Sequence, residues 1–159
     1  MLSLEVEKVA GLEALQGVFK YRAPEPHVSG MYYVGILTFP FRDSYFQFNA
    51  ESLERGTTGL RECVVFVMQR DALKKVMEEA ADRSDLPGPT SLQDFWAQDR
   101  ATPPPKHLSD DEEYDAVFPN YPLSKVRALQ AHLKATLCVH PSLHSAEKYR
   151  VGGTDRVTG

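Results

Sequence analysis

Met31 to Gln69 reads MYYVGILTFPFRDSYFQFNAESLERGTTGLRECVVFVMQ, the densest apolar and aromatic stretch of the chain. Tyr32 to Phe39 is rich in aromatic and β-branched residues and predicts a strand. Pro40 ends that strand or marks a sheet edge, because proline gives a ladder no N–H. Tyr45-Phe46-Gln47-Phe48 alternates after Arg42-Asp43-Ser44 and predicts the second strand of a hairpin or meander. Beyond the turn bracketed by Gly56 and Gly59, Glu62-Cys63-Val64-Val65-Phe66-Val67-Met68 is almost continuously apolar. A buried central strand suits it best, although periodicity alone also permits a buried helix.

Upstream of this core, Val6, Val9, Leu12, Leu15 and Phe19 fall at helical spacing, while Gly11 and Gly17 weaken a helix. Ala23-Pro24-Glu25-Pro26 is a firm break. Downstream, Asp71 is placed to cap a helix from Ala72 to Arg83, with Leu73, Val76, Met77 and Ala80 as its apolar stripe. A short helix starting at Ser91 would carry Phe95 and Trp96. Pro103-Pro104-Pro105 then makes a stiff surface crossing. Ser109-Asp110-Asp111-Glu112 has the capping-box pattern and predicts a solvated helix start. The last strong element has Leu123, Val126, Leu129, Leu133 and Leu137 on one face, with Lys125, Arg127 and Lys134 away from that stripe. Strands early and helices late predict an α+β fold, a small antiparallel or mixed sheet from the first half packed against helices from the second. The chain reads as one globular domain over 1–150 with a flexible tail over 151–159.

The totals narrow the function. With 42% apolar and 25% charged residues the chain has the composition of an ordinary globular domain. A net charge of −4 argues against neutralising nucleic-acid phosphates. No leader-like basic and apolar N-terminus is visible, and no apolar run approaches the roughly 18–20 residues of a membrane span. The expected setting is the cytoplasm, with no membrane partner. There the two cysteines, Cys63 and Cys138, are expected to be buried free thiols, since free cysteine behaves as a small hydrophobe.

The motifs supply two candidate sites. Arg55-Gly56-Thr57-Thr58-Gly59-Leu60-Arg61, with Arg42 nearby in sequence, offers amides, hydroxyls and guanidinium groups to a small anion. It lacks the lysine of a P-loop and the third glycine of a dinucleotide fingerprint. The plain reading is a tight turn whose arginines pair with Glu54 and Glu62. The second candidate is Asp110, Asp111, Glu112, Glu113, Tyr114 and Asp115, followed by Phe118 and Tyr121, which combines charge with aromatic anchors. Cys138, His140 and His144 resemble metal spacing, but Pro141 breaks the helix that would align them, so no metal site is assigned. No nucleophile elbow, catalytic constellation or cofactor motif is present. The sequence therefore points to binding another protein: a cytoplasmic inhibitor of the immunity type, its acidic aromatic segment filling the basic cleft of a toxin. The alternative is a small enzyme or ligand-binding domain built on the glycine-bracketed loop.

Overall fold

The first strand pair forms where the sequence also permits a helix. In the computed structural model, which describes residues 1–24, 30–69 and 103–149, β1 (Ser3–Val9) and β2 (Leu12–Arg22) make an antiparallel hairpin. Its two turn residues, Ala10 and Gly11, both have positive φ (49° and 81°). That is the turn whose twist matches paired strands. The period of two was hidden because Gln16 and Lys20 share the inward set with Leu12, Ala14 and Val18, while the outward set contains Leu15 and Phe19.

β3 (Met31–Pro40) and β4 (Tyr45–Leu53) complete a four-stranded antiparallel meander in the order β1-β2-β3-β4, as the aromatic stretch predicts. The run expected to be a central strand is instead helix α1 (Leu60–Met68), and it is not buried. Only Arg61 and Val65, four residues apart, face inward. The turn explains the change. The Glu54 carboxylate accepts the Gly59 N–H at 2.8 Å, and the Cys63 N–H closes the first helical turn on the Gly59 carbonyl. Cys63 and Cys138 are both free, but exposed rather than buried.

The expected helix over 72–83, the segment carrying Trp96 and the tail over 151–159 lie outside the described residues. Residues 108–114 form two short 3-10 turns, Leu108–Asp110 and Glu112–Tyr114, not a helix start. The reach-back bond is displaced by two residues from the expected box: the His107 N–H donates to Asp110 at 2.8 Å. Helix α2 (Pro122–Thr136) crosses the sheet, and a short α3 (Pro141–His144) follows. The molecule is thus α+β, with its sheet from the first half and α2, from the second half, packed across it.

Two apolar clusters lie beneath α2. Val18, Tyr33, Ala50, Leu123 and Val126 pack under its first half. Val9, Leu12, Ala14, Leu37, Phe39 and Phe41 pack under its second half, with Leu133, Leu137, Val139 and Leu143. Gly35 lets the helix approach: a Cβ there would lie 2.7 Å from atoms of both Gln130 and Val126. Gln130 therefore takes the inward position expected of Leu129, which is 53% exposed. Its amide nitrogen donates to the carbonyls of Gly17 (3.1 Å) and Ile36 (3.0 Å). The C-terminal segment returns to the sheet through a bridge between Phe41 and Lys148 and an Arg42–Glu147 pair at 2.7 Å.

Candidate partner-binding surface

The acidic segment is built around two buried cations. Lys20 points inward from β2, in phase with Val18, and its ammonium meets Asp110 at 2.9 and 3.1 Å with both side chains almost fully buried. A charge taken out of water survives only with such a partner. Arg61, fully buried on α1, donates to the Asp115 carboxylate (3.0 Å), the Ser124 hydroxyl (2.7 Å) and the carbonyls of Ser109 (2.5 Å) and Asp111 (3.0 Å). Phe118 and Tyr121 place their ring centroids 5.7 and 5.2 Å from its guanidinium carbon, an arrangement that favours a cation. Arg127 adds bonds from α2 to Asp115 (3.2 Å) and to the Asp110 carbonyl (2.7 Å). The planar fork of arginine suits this work of holding carboxylate and carbonyls together.

Beside these cations sits a group of hydroxyls and carboxylates. Glu54 accepts the N–H groups of Met31 (3.0 Å) and Gly59 (2.8 Å), and the Tyr121 hydroxyl lies 3.3 Å from both Glu54 and Glu62. Tyr33 and Tyr121 bring their hydroxyl oxygens within 3.1 Å. Burial pushes both phenols well above the ordinary tyrosine range, and the charges of Glu62 and Glu54 push in the same direction. Both hydroxyls stay protonated; Tyr121 serves the carboxylates as a neutral hydrogen-bond partner, and Tyr33 bonds to the Tyr121 hydroxyl.

This arrangement sorts the two sets of sequence candidates. In the acidic segment, Asp110 and Tyr114 are buried, Asp115 is clamped by arginines, and Phe118 and Tyr121 are half-buried around Arg61. Glu112 and Glu113 remain exposed, with Asp111 at their side in a 3.0 Å pair with Lys106. In the glycine-bracketed loop, Arg55, Thr57 and Thr58 are exposed, whereas Arg61 points into the interior and is already paired. The loop amide at Gly59 is taken by Glu54, an anion of the chain's own. Arg42 lies beyond the far end of β3, a strand about 30 Å long at about 3.3 Å per residue, so it does not join the loop. Among the described residues no group of three His, Cys, Asp or Glu side chains converges to hold a metal, so Cys138, His140 and His144 do not form one site.

Sequence reasoning missed Lys20 and Ser124, gave Arg127 only a place off the apolar stripe, and gave Glu54 to the turn's arginines, whereas Glu54 takes backbone N–H groups and Arg61 pairs with Asp115. The readable signal was a lysine on the inward phase of an alternating strand. It also missed the outward face of α1, where Leu60, Phe66, Val67 and Met68 are exposed, Val67 at 71%. Helix α1 packs beside the 3-10 turns, and Gln69 at its end donates to the Tyr114 hydroxyl at 2.9 Å. Exposed Leu108 and Val117 belong to the same region as Glu112 and Glu113. Compared with family models, curated proteins and solved structures, the chain matches none.

Proposed function

We propose that the chain is a protein-binding domain of the immunity type, a cytoplasmic inhibitor that docks on a toxin-like partner and blocks its basic cleft. One observation carries this reading: the solvent face of α1 is apolar where a surface helix is ordinarily polar. Leu60, Phe66, Val67 and Met68 supply the desolvating contact, and Glu112 and Glu113 supply the charge that steers a basic partner. The buried Lys20–Asp110 and Arg61–Asp115 pairs hold that surface rigid, which lowers the ordering cost of association. No helix among the described residues is long and apolar enough to cross a membrane, which is compatible with this role.

The test uses three baits in lysate from the source cells: wild type, Phe66→Asp/Val67→Asp and Glu112→Lys/Glu113→Lys. The reading predicts one stoichiometric partner on the wild-type bait, lost from the first variant and held more weakly by the second, with melting temperatures unchanged. Added wild-type protein should then suppress the activity of the purified partner. Equal capture by all three baits would sink the proposed surface, and an unimpeded partner would sink the inhibitory role.

A further inference from the structure

The second open feature is on the opposite flank of α2, along the edge of the sheet. Among the described residues β4 has a strand on one side only. The phase of its ladder is set by the Phe41 N–H bond to Ser44 and the Glu54 N–H bond to Met31. Antiparallel pairing alternates, so Phe46, Phe48, Ala50 and Ser52 bond to β3. Tyr45, Gln47, Asn49, Glu51 and Leu53 turn their N–H and C=O groups to the open edge. An unpaired edge is a template for another strand.

Beside that edge runs an apolar groove. Phe46 and Phe48 point to the α2 side of the sheet yet stay 51% and 39% exposed, because the helix covers Ala50 with its first half and crosses toward β1 and β2 with its second. Two adjoining cavities of about 210 and 130 Å³ share Phe48. Leu129, Gln130 and Leu133 line the first, and Phe46, Leu137, Val139 and Leu143 line the second. Gln130 is 3% exposed, and its side-chain carbonyl oxygen has no partner among the described residues, leaving a buried acceptor in the wall of the first cavity.

The helix side of the rim is basic, and on the strand side the open edge carries Glu51, whose carboxylate accepts from the Tyr32 hydroxyl on the other face of the sheet. Helix α2 contains Lys125, Arg127, His132 and Lys134 and no acidic residue. Lys134 reaches Glu7 on β1 at 3.0 Å, which fixes that flank toward the opposite edge of the sheet. The flank toward β4 therefore carries Leu129, with exposed Lys125 and His132 above it, and His140 lines the end of the groove. On a chain of net charge −4, Lys125 is the formal positive charge on this flank of α2.

We infer that the groove between β4 and α2 takes an extended, acidic segment of another protein as a fifth strand. Its backbone pairs with the open groups of Gln47, Asn49 and Glu51. Alternate apolar side chains enter the two cavities beside Phe46 and Phe48, and its carboxylates meet the Lys125 ammonium and can accept a ring N–H from His132. The site is separate from the α1 surface, so its failure leaves the proposed function standing.

The test uses the full chain and a synthetic peptide that alternates leucine or phenylalanine with threonine and carries glutamates at both ends. A matched peptide ends in lysines. Binding of the acidic peptide should slow hydrogen exchange at the amides of Gln47, Asn49 and Glu51, and should weaken with salt. Asn49→Pro removes one open-edge N–H and leaves the ladder to β3 intact. It should weaken the acidic peptide by about tenfold or more with the melting temperature little changed. Lys125→Glu/His132→Glu should reverse the preference between the two peptides. Equal binding of both peptides by wild type, or full binding by Asn49→Pro, would overturn the inference. So would protection of the same amides without peptide. In a dimer that result would assign the edge to a second copy, and in a monomer to another part of this chain.

Discussion

The two ends of α2 are built on opposite principles. At its N-terminal end, Lys20, Arg61 and Arg127 are taken inside and bonded to Asp110, Asp115 and surrounding carbonyls. At its C-terminal end, Phe46, Phe48 and Leu129 are left at the surface over an apolar groove. The comparison teaches that charge in the sequence does not mark the surface here, nor aromatic density the core. The charged end is closed because each buried ion needs a fixed partner, whereas an apolar side chain loses little by remaining half-exposed.

The largest expected effect lies at the closed end. Arg61→Ala removes four hydrogen bonds from the interior, to Asp115, Ser124 and the carbonyls of Ser109 and Asp111, and leaves Asp115 to Arg127 and Ser124 alone; urea denaturation should show a loss of about 3–5 kcal/mol. Arg61→Lys should restore only part of it, because an ammonium lacks the fork that spans these acceptors. A smaller effect follows from Tyr33 and Tyr121, whose hydroxyls are held protonated beyond the ordinary range. Above about pH 10 an unfolded tyrosine loses its proton while these two keep theirs. The unfolded state then binds fewer protons than the native one, so stability is fully present below that pH and falls as pH rises through it. Denaturation series across this range should show the fall, and a shallower one for Tyr33→Phe. The smallest effect belongs to the open end. Leu129→Ser should change stability by no more than about 0.5 kcal/mol, although the sequence places Leu129 on the core stripe. A large loss in the same urea assay would mean that the groove is a packed core, and the contrast between the ends would collapse.

What was legible follows from the same contrast. The α+β class, β3, the start of β4 and α2 are visible because their apolar periodicity survives in the sequence. The β1–β2 hairpin was obscured by Lys20 and Gln16 on its inward phase. Helix α1 was obscured by a run of branched residues whose inward-facing members are only Arg61 and Val65. The polar cluster joins positions as distant as Lys20 and Asp110, and no local motif announces such a pair. The acidic segment stands out by composition, but local spacing does not separate Asp110 and Asp115, held inside by partners from β2, α1 and α2, from Glu113 at the surface and Glu112, which reaches Arg127 only from the solvent side at 3.7 Å.

That separation is the claim most open to direct measurement. Urea denaturation should be run on Asp110→Asn/Asp115→Asn and on Glu112→Gln/Glu113→Gln, each removing two charges from the same six-residue segment. The structure predicts a loss of about 3 kcal/mol or more for the first pair and a change within about 0.5 kcal/mol for the second. Equal midpoints for the two variants would contradict the account, for they would mean that the whole segment is solvated and that the buried cations do not anchor it.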